Sequence, residues 1–494
     1  MLKVFNSLGR QEQEFKPVHE GFVGVYVCGP TVYGDSHIGH AKSYVSFDVI
    51  VRYLRCQGYR VRYVQNITDV GHLTDNADEG EDKVGEKARK LGIEPMEVAE
   101  IFTRSYFEDM DALNVRRPDI SPRASGHIPE QIELVRALVE RGHAYEASGN
   151  VYFDVTSFPG YGRLSGRRVE ELQEGTRVEE REDKRHPADF GLWKRAEPGH
   201  LMKWKSPWGI GFPGWHLECS AMGMRYLGNT LDIHGGGLEN IFPHHENEIA
   251  QSEGATGEPF VRYWLHNNMV TVDGQKMGKS LGNFITLKDA FAGKPPLGEP
   301  VRPMVLRYFV LSSHYRSPLD FSTDALGAAR KGLERIEQAA AAVRRRRDIA
   351  RADKGGEVPP QMAELIKKAR EAFLAQMDSD FNTAGAIGEL SRFTHEVNRL
   401  LDSGEALGGP ALAGLDGLFD ELGERVLGIL RGSDVSDRSD VRGLEPQLIE
   451  ALIQTRARLR EAKQFKLADE VRDRLAALGV TLKDGPEGTT WEYR

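Results

Sequence analysis

The segment Phe22-Val-Gly-Val-Tyr-Val-Cys28 is rich in β-branched and aromatic residues and predicts a strand. Gly29, Pro30 and Gly34 then punctuate a loop. From His37 the period changes. Ala41, Val45, Val49 and Leu54 keep a helical spacing, Ser36 stands at the N-cap position, and Gly58 stands where a C-terminal glycine cap belongs. Tyr59 to Ile67 (YRVRYVQNI) predicts a second strand. A strand–helix–strand unit of this kind predicts parallel strands. The loop after the first strand then lies at the sheet edge where open α/β folds bind ligands.

A second cluster of signals comes later in the chain. Thr230 to Ile233 predicts a short strand, leading into His234-Gly-Gly-Gly237. A helix from about Pro243 carries HHENEIAQ, and Tyr263 to Val272 is strand-like before Asp273-Gly-Gln-Lys276-Met-Gly-Lys279-Ser280. Residues 114–205 mix helix and strand signals with many charges, as an insertion between two halves of a nucleotide-binding fold does. From Ala325 the pattern is helical, over 325–350 and 360–401, broken by Lys354-Gly-Gly-Glu-Val-Pro-Pro360. Residues 431–446 (RGSDVSDRSDVRGLEP) read as a polar linker. Two helices near Glu450–Lys463 and Lys466–Leu478 and a β tail ending at Trp491 close the chain.

The predicted class is therefore α/β. A Rossmann-type nucleotide-binding domain spans 1–113 and 206–324, with a connective insertion at 114–205. An α-helical bundle (325–430), the linker (431–446) and a small mixed α/β domain (447–494) complete the order. No repeat at a fixed period is present.

Composition changes this picture little. The 494 residues are 40% hydrophobic and 28% charged, an ordinary globular balance. No apolar run reaches the roughly 20 residues that span a bilayer, and the polar N-terminus predicts no signal peptide. Three cysteines, Cys28, Cys56 and Cys219, make no disulfide framework and fit a reducing compartment. The net charge of −9 argues against a general nucleic-acid binder. The charge is uneven, however: residues 447–494 hold nine Lys/Arg against eight Asp/Glu, so a local basic face can still meet a nucleic acid. Arg344 to Arg347 reads as a solvated helix face.

Candidate chemistry concentrates in Cys28-Gly-Pro-Thr-Val-Tyr-Gly-Asp-Ser-His37-Ile-Gly-His40, which suits a metal knuckle, a phosphate-binding turn, or part of each. An isolated His-x-x-His pair is more often a helix cap or a solvated pair than a ligand pair. Its place at a helix N-terminus, where unpaired N–H groups and the positive dipole end favour anions, raises the phosphate reading. Gly39 leaves room for a base or ribose against the backbone. Lys276 and Lys279 lie on a glycine-containing loop after a strand and suit a triphosphate whose leaving group gathers charge. Alone, Lys-x-x-Lys is an ordinary surface loop. Cys28, Cys219, His244 and Glu248 are competent metal ligands, and His244 and Glu248 share a helix face. Their spacing is no zinc knuckle, and a single cysteine is more often a small buried hydrophobe.

His37-Ile-Gly-His40 and Lys276-Met-Gly-Lys279-Ser280 together resemble the two signatures of class I aminoacyl-tRNA synthetases. The second departs from the usual Lys-Met-Ser-Lys-Ser at Gly278, which implies altered loop flexibility with the chemistry kept. The strings CGPTVYGDSHIGHA, NITDV, GWHLECSAM, DIHGGG and FPHHENE, in this order, are similar to bacterial cysteinyl-tRNA synthetases. The resemblance runs along the whole chain and is densest in the catalytic half. It implies activation of L-cysteine by Mg-ATP to the adenylate with release of pyrophosphate, then transfer to the 3′ end of tRNA(Cys). It implies catalytic roles for His37, His40, Lys276 and Lys279, and ATP contacts at Gly39, Lys279 and Ser280. Thr68, Trp215 and His234 would line the amino-acid pocket. Cys28, Cys219, His244 and Glu248 would hold one zinc ion per chain.

Zinc has a physical rationale there. Cysteine and serine are near-isosteres that an apolar pocket separates poorly, whereas a soft ion favours thiolate strongly. Selection then needs no editing domain. Cys56 matches no ligand role and reads as packing. The bundle, with Asp378-Ser-Asp-Phe-Asn-Thr383, resembles the family's anticodon-arm bundle. In the last domain Arg460, Asp469 and Asp484 would contact the anticodon, with Phe465 where the family often has Trp. The resemblance implies a cytoplasmic monomer with no membrane partner.

Three rivals are weaker. A ligase joining cysteine to an amino-sugar resembles the catalytic half but lacks the final module. A methionyl-type synthetase expects Cys-x-x-Cys knuckles. An inactive RNA-binding paralogue should have lost the His-Ile-Gly-His string, a zinc ligand or a loop lysine, and none is lost.

Overall fold

The computed structural model describes the chain apart from residues 72–81, 170–182, 279–280, 296, 351–357, 404–406, 431–444, 478–479, 486–487 and 494. It forms two units, Met1–Leu430 and Arg431–Arg494.

In the first unit, β1 (Phe22–Val27), α1 (Ile38–Cys56), β2 (Arg60–Gln65), α2 (Trp215–Leu227), β3 (Leu231–Gly237), α3 (Glu246–Thr256) and β4 (Val261–Asn267) build the central sheet and its covering helices. The strand order is β4-β3-β1-β2, and every neighbour pair is parallel. Five of the six β1 residues are buried, as a strand covered on both faces requires. α1 packs on β3 through Gly235, where a Cβ would stand 2.2 Å from the Phe47 ring.

Several boundaries differ from the sequence pattern. β3 runs on through the glycine triplet rather than stopping at Ile233, because no glycine there carries a side chain that would separate it from α1 or β1. The predicted strand Tyr263–Val272 is two strands. β4 joins the central sheet, while β5 (Val270–Val272) joins β6 (Gln275–Lys276) and β7 (Leu319–Phe321) in a small sheet ordered β6-β5-β7. Residues 268–269 make the crossing.

Between β2 and α2 lies an antiparallel sheet of five strands, from Ala144 to Pro213, beside the helix Ile128–Glu140. It runs past residue 205 because Gly209–Pro213 pairs with both of its neighbours. After α4 (Pro303–Leu311) come the bundle helices α5 (Thr323–Ile349), α6 (Pro360–Met377), α7 (Thr383–Asp402) and α8 (Gly409–Phe419). The periodic stretch 360–401 is two helices. Asp380 and Phe381 take φ of +53° and +54° between them. The Asp380 carboxylate holds that turn by accepting from the Phe5 N–H (2.8 Å), the Tyr315 hydroxyl (2.8 Å) and Arg316 Nε (2.5 Å). Residues 351–357, part of the expected break before α6, lie outside the described residues. Arg344 to Arg347 is not simply solvated: Arg344 and Arg347 pair with Asp416 of α8, and Arg346 donates to the Leu401 carbonyl.

In the second unit, helices Glu445–Glu461 and Phe465–Ala477 pack with a hairpin of Val480–Gly485 and Gly488–Tyr493. Ile449, Ile453, Leu475 and Val480 form its core, with Trp491 against it. The expected linker lies outside the described residues over 431–444, and its last two residues begin the first helix.

A buried ionic cluster fastens α1 to α4 and to residues after the bundle. Asp48 accepts from Arg52 Nε (2.7 Å), Arg307 Nη2 (2.5 Å) and the Arg116 N–H (2.9 Å). Arg307 also donates to the carbonyls of Leu427, Leu113 and Asn114. Burial alone would raise the Asp48 carboxyl, but Arg307 and Arg52 together hold it below the usual range. Its contribution to stability is therefore full above about pH 4 and is lost as pH falls through the depressed folded value. Removing one partner of a buried cluster costs about 3–5 kcal/mol. We expect Arg307→Met to lower the urea midpoint strongly at pH 7, and the gap from the parent to narrow towards pH 3. A gap constant from pH 7 to pH 3 would contradict this.

Candidate active site

The first turn of α1 is built from the His-x-x-His pair itself. His37, not Ser36, is the N-cap. His37 Nδ1 accepts from the Gly39 N–H (3.1 Å), and the His37 N–H donates to His40 Nδ1 (3.2 Å). Two imidazoles thus make a reciprocal capping box, the role Ser and Glu usually share. The rings stack with centroids 3.9 Å apart. Burial, then the neighbouring His37, holds His40 well below the ordinary imidazole range, so it is neutral at pH 7. With Nδ1 accepting in each ring, a neutral imidazole here carries its proton on Nε2. Gly39 has no room for a side chain: a Cβ would stand 2.9 Å from the His37 ring.

Both rings line a cavity of about 550 Å³ at the carboxyl end of β1. Its floor holds a cluster of ligand-type side chains. Cys28, just after β1, has its Sγ 3.9 Å from Cys219 Sγ in α2, 3.9 Å from Glu248 Oε1 and 3.2 Å from His245 Nε2. His244 Nε2 is 3.1 Å from Glu248 Oε1. The helix bearing Glu248 begins at Glu246 rather than Pro243, after a wide turn over Ile241–His245 with Phe242 extended inside it. Cys28, His244, His245 and Glu248 offer ligand atoms all within 4.8 Å of one another. Burial, then Cys219, pushes the Cys28 thiol up.

Around this cluster a further shell fixes orientation. His234 Nε2 meets Glu248 Oε2 at 2.8 Å, His216 Nδ1 meets His244 Nδ1 at 2.8 Å, and His245 Nδ1 meets His266 Nε2 at 2.7 Å. Trp215 stacks on the His244 ring at 4.3 Å. Asn66 accepts from the Gly29 N–H (2.8 Å) and donates to Thr68 Oγ1 (2.9 Å). Gly29 is required there, since a Cβ would stand 1.5 Å from the Asn66 carbonyl oxygen.

Of the three expected pocket residues, Thr68 and Trp215 line the cavity. His234 does not: it is fully buried behind Glu248, with its ring stacked on Trp264. Cys219 lines the wall beside Cys28, and Lys276 lines the rim. Lys279 and Ser280 lie outside the described residues. Cys56 is half-buried against the core, as a packing residue is. His245, His216 and Asn66 were not singled out from the sequence. The doubled histidine of FPHHENE was the available signal for His245, and the Asn66 role depends on a contact with Gly29 that no spacing shows.

In the second unit, Asp484 takes a two-pronged contact from Arg456 (2.7 Å and 2.7 Å) and one from Arg460 (3.2 Å). Hydrogen bonds from Arg456 and Thr489 hold its carboxyl well below the usual range. Asp469 instead pairs with Arg472 on its own helix (3.5 Å). Arg460 and Asp484 are thus brought together and Asp469 is not.

Comparison with known proteins places these features in a family. Residues 14–331 match the tRNA synthetases class I (C) catalytic domain, 372–431 the DALR domain, and 443–491 the cysteinyl-tRNA ligase anticodon binding domain. The chain is 55% identical to a cysteine–tRNA ligase of Chlorobaculum tepidum, covering 100% of this chain and 99% of that one. It is 48% identical to one of Thermus thermophilus (99% of both chains) and 47% to one of Deinococcus radiodurans (99% and 96%). Among solved structures, a Mycobacterium tuberculosis methionyl-tRNA synthetase with methionyl-adenylate superposes at TM-score 0.57 and 16% identity, covering 82% of this chain and 89% of that one. An Agrobacterium radiobacter K84 LeuRS in a ternary complex with tRNA and LeuAMS superposes at 0.58 and 14%, covering 84% and 85%. At those identities the likeness is one of fold.

Proposed function

The chain belongs to the bacterial cysteinyl-tRNA synthetase family, and on that premise we propose how its residues divide the ligation of cysteine to tRNA. The observation that carries the reading is one cavity, about 550 Å³, with the cysteine–histidine–glutamate cluster at its floor and His37, His40 and Lys276 on its walls. That volume falls in the range of small-molecule sites, ~300–1,000 Å³.

Cysteine binds with its side chain towards the floor, against Thr68 and Trp215. One carboxylate oxygen of cysteine attacks the α-phosphorus of ATP, which arrives with its Mg2+. The bond from that phosphorus to the bridging oxygen breaks, and pyrophosphate leaves with the electron pair. The Nε2–H groups of His37 and His40 donate to phosphate oxygens as charge builds. Gly39 lets the nucleotide approach the helix end. Lys276, with Lys279 and Ser280 close after it in the sequence, balances charge on the departing pyrophosphate. A ribose hydroxyl at the tRNA 3′ end then attacks the activated carbonyl carbon, and AMP leaves. The protein contributes position and charge rather than a covalent step. In the second unit the Arg460–Asp484 pair faces the anticodon, with Asp469 on the adjoining helix. The protein works as a cytoplasmic monomer.

The donor set fits zinc. Thiol, imidazole and carboxylate side chains converge, Trp215 and His216 hold the His244 ring, and His234 holds Glu248. Zinc, when bound, supplies a soft Lewis acid that prefers a thiol to a hydroxyl. Cys28, Cys219, His244 and Glu248 are the ligands in this assignment. His245, tied to His266, orients Cys28 from behind.

Two outcomes test the assignment. Cys219→Ala should lose the ion, read as metal per chain, together with cysteine-dependent pyrophosphate exchange. His245→Ala should keep one ion at saturating zinc, with affinity weakened about 10–100-fold. The reverse pattern would make His245 the fourth ligand. Gly39→Ala should displace the His37 ring and slow adenylate formation about 10–100-fold, with metal content unchanged; full exchange activity would contradict the role given to His37.

A further inference from the structure

The signature loop that carries Lys276 is closed by a side chain that belongs to neither signature. Asn283 Nδ2 donates to the Lys276 carbonyl (3.1 Å), and Asn283 Oδ1 accepts from the Gly278 N–H (2.9 Å). One partner only accepts and the other only donates, so the carboxamide can satisfy both in one orientation alone. A single side chain therefore ties two backbone points, two residues apart, back to the far end of the loop.

The segment after Asn283 is anchored to the helix end that bears the two imidazoles. Phe284 sets its ring edge on His37, with centroids 5.2 Å apart. The Ile38 N–H donates to the Ile285 carbonyl (3.3 Å), and the Leu287 N–H donates to the Ser36 carbonyl (2.8 Å). Before the loop, β5 and β6 pair with each other, and β5 pairs with β7, in the small sheet. Lys276 thus leaves one sheet, and its carbonyl is tied by Asn283 to a segment hydrogen-bonded to the first turn of α1. Met277 completes the junction: its Cε lies 3.8 Å from where a Gly39 Cβ would be.

We propose that Asn283 is a positioning residue for adenylate formation: its carboxamide transmits the register of the His37 segment to Lys276, so that the ammonium and the two imidazoles meet one triphosphate in fixed geometry. The proposal rests on the role given above to Lys276. At Gly278 the clasp takes a backbone N–H, which does not depend on the side chain there. Losing the clasp leaves every charge in place and loosens only their relative position. Misplacement of about 1 Å in such a site costs on the order of 100-fold.

The experiment is a double-mutant cycle on the full-length, zinc-loaded protein, read by cysteine-dependent pyrophosphate exchange. Asn283→Ala should lower kcat about 10–100-fold. KM for cysteine, metal content and melting temperature should stay at parent values. Asn283→Asp, which keeps the acceptor for Gly278 but not the donor for Lys276, should be impaired as well. In a Lys276→Ala background, Asn283→Ala should cost little more, because the clasp acts through that lysine. An active Asn283→Ala would overturn the proposal, as would a fully additive double variant. A silent Lys276→Ala would overturn the role of Lys276 and the clasp together, whereas an impaired Lys276→Ala with full additivity would overturn the clasp alone.

Discussion

A carboxylate removed from water must be met by groups that compensate its charge, and Glu248 imposes that constraint on the whole catalytic floor. It is fully buried. Three imidazoles and a thiol surround it, with His234 at 2.8 Å and His244 at 3.1 Å. An uncompensated charge at that depth would cost several kcal/mol. Hence strand, turn and helix converge there. β1 delivers Cys28, α2 delivers Cys219, β3 delivers His234, and the turn before α3 delivers His244 and His245. A cation completing this set would offset the buried charge and ionise the thiols. The groups that surround this charge are the ones that would hold the ion.

The reactive end of the cavity is organised differently. There the compensation is for unpaired N–H groups at a helix start. His37 and His40 use their Nδ1 atoms on that backbone, which sets the tautomer in which Nε2 holds the proton. The helix cap and the two cavity-lining rings are thus one arrangement, and the His37 ring, 2.9 Å from where a Cβ would stand, explains why residue 39 is glycine. The segment 283–287 binds to this same turn, so loop and helix end share one frame. The Asp48–Arg52–Arg307 cluster holds the other end of the helix region to α4, so the frame is fixed at depth as well as at its mouth.

Much of this was legible in the sequence because local chemistry and local period coincide. The strand–helix–strand unit, the glycine after α1, and the pairing of His244 with Glu248 all come from spacing within ten or twenty residues. The signatures made the catalytic class readable through resemblance. The parts that were not legible depend on distant contacts. Gly235 passes β3 beneath Phe47, so a strand continues where three glycines suggest a break. Residues 268–269 move the chain between sheets, so one apolar run is two strands. Asp380 takes hydrogen bonds from residues far away in sequence, which stabilises a turn inside a helical period. His234, which the resemblance implies as a pocket residue, instead meets Glu248 at 2.8 Å and is fully buried.

The central claim is that the buried cluster reads the substrate thiol. X-ray absorption at the zinc edge of the loaded protein, with and without L-cysteine, tests it most directly. The account predicts two sulfur neighbours in the free protein, from Cys28 and Cys219, and three when cysteine is bound, with serine leaving the count at two. A sulfur count unchanged by cysteine would contradict it.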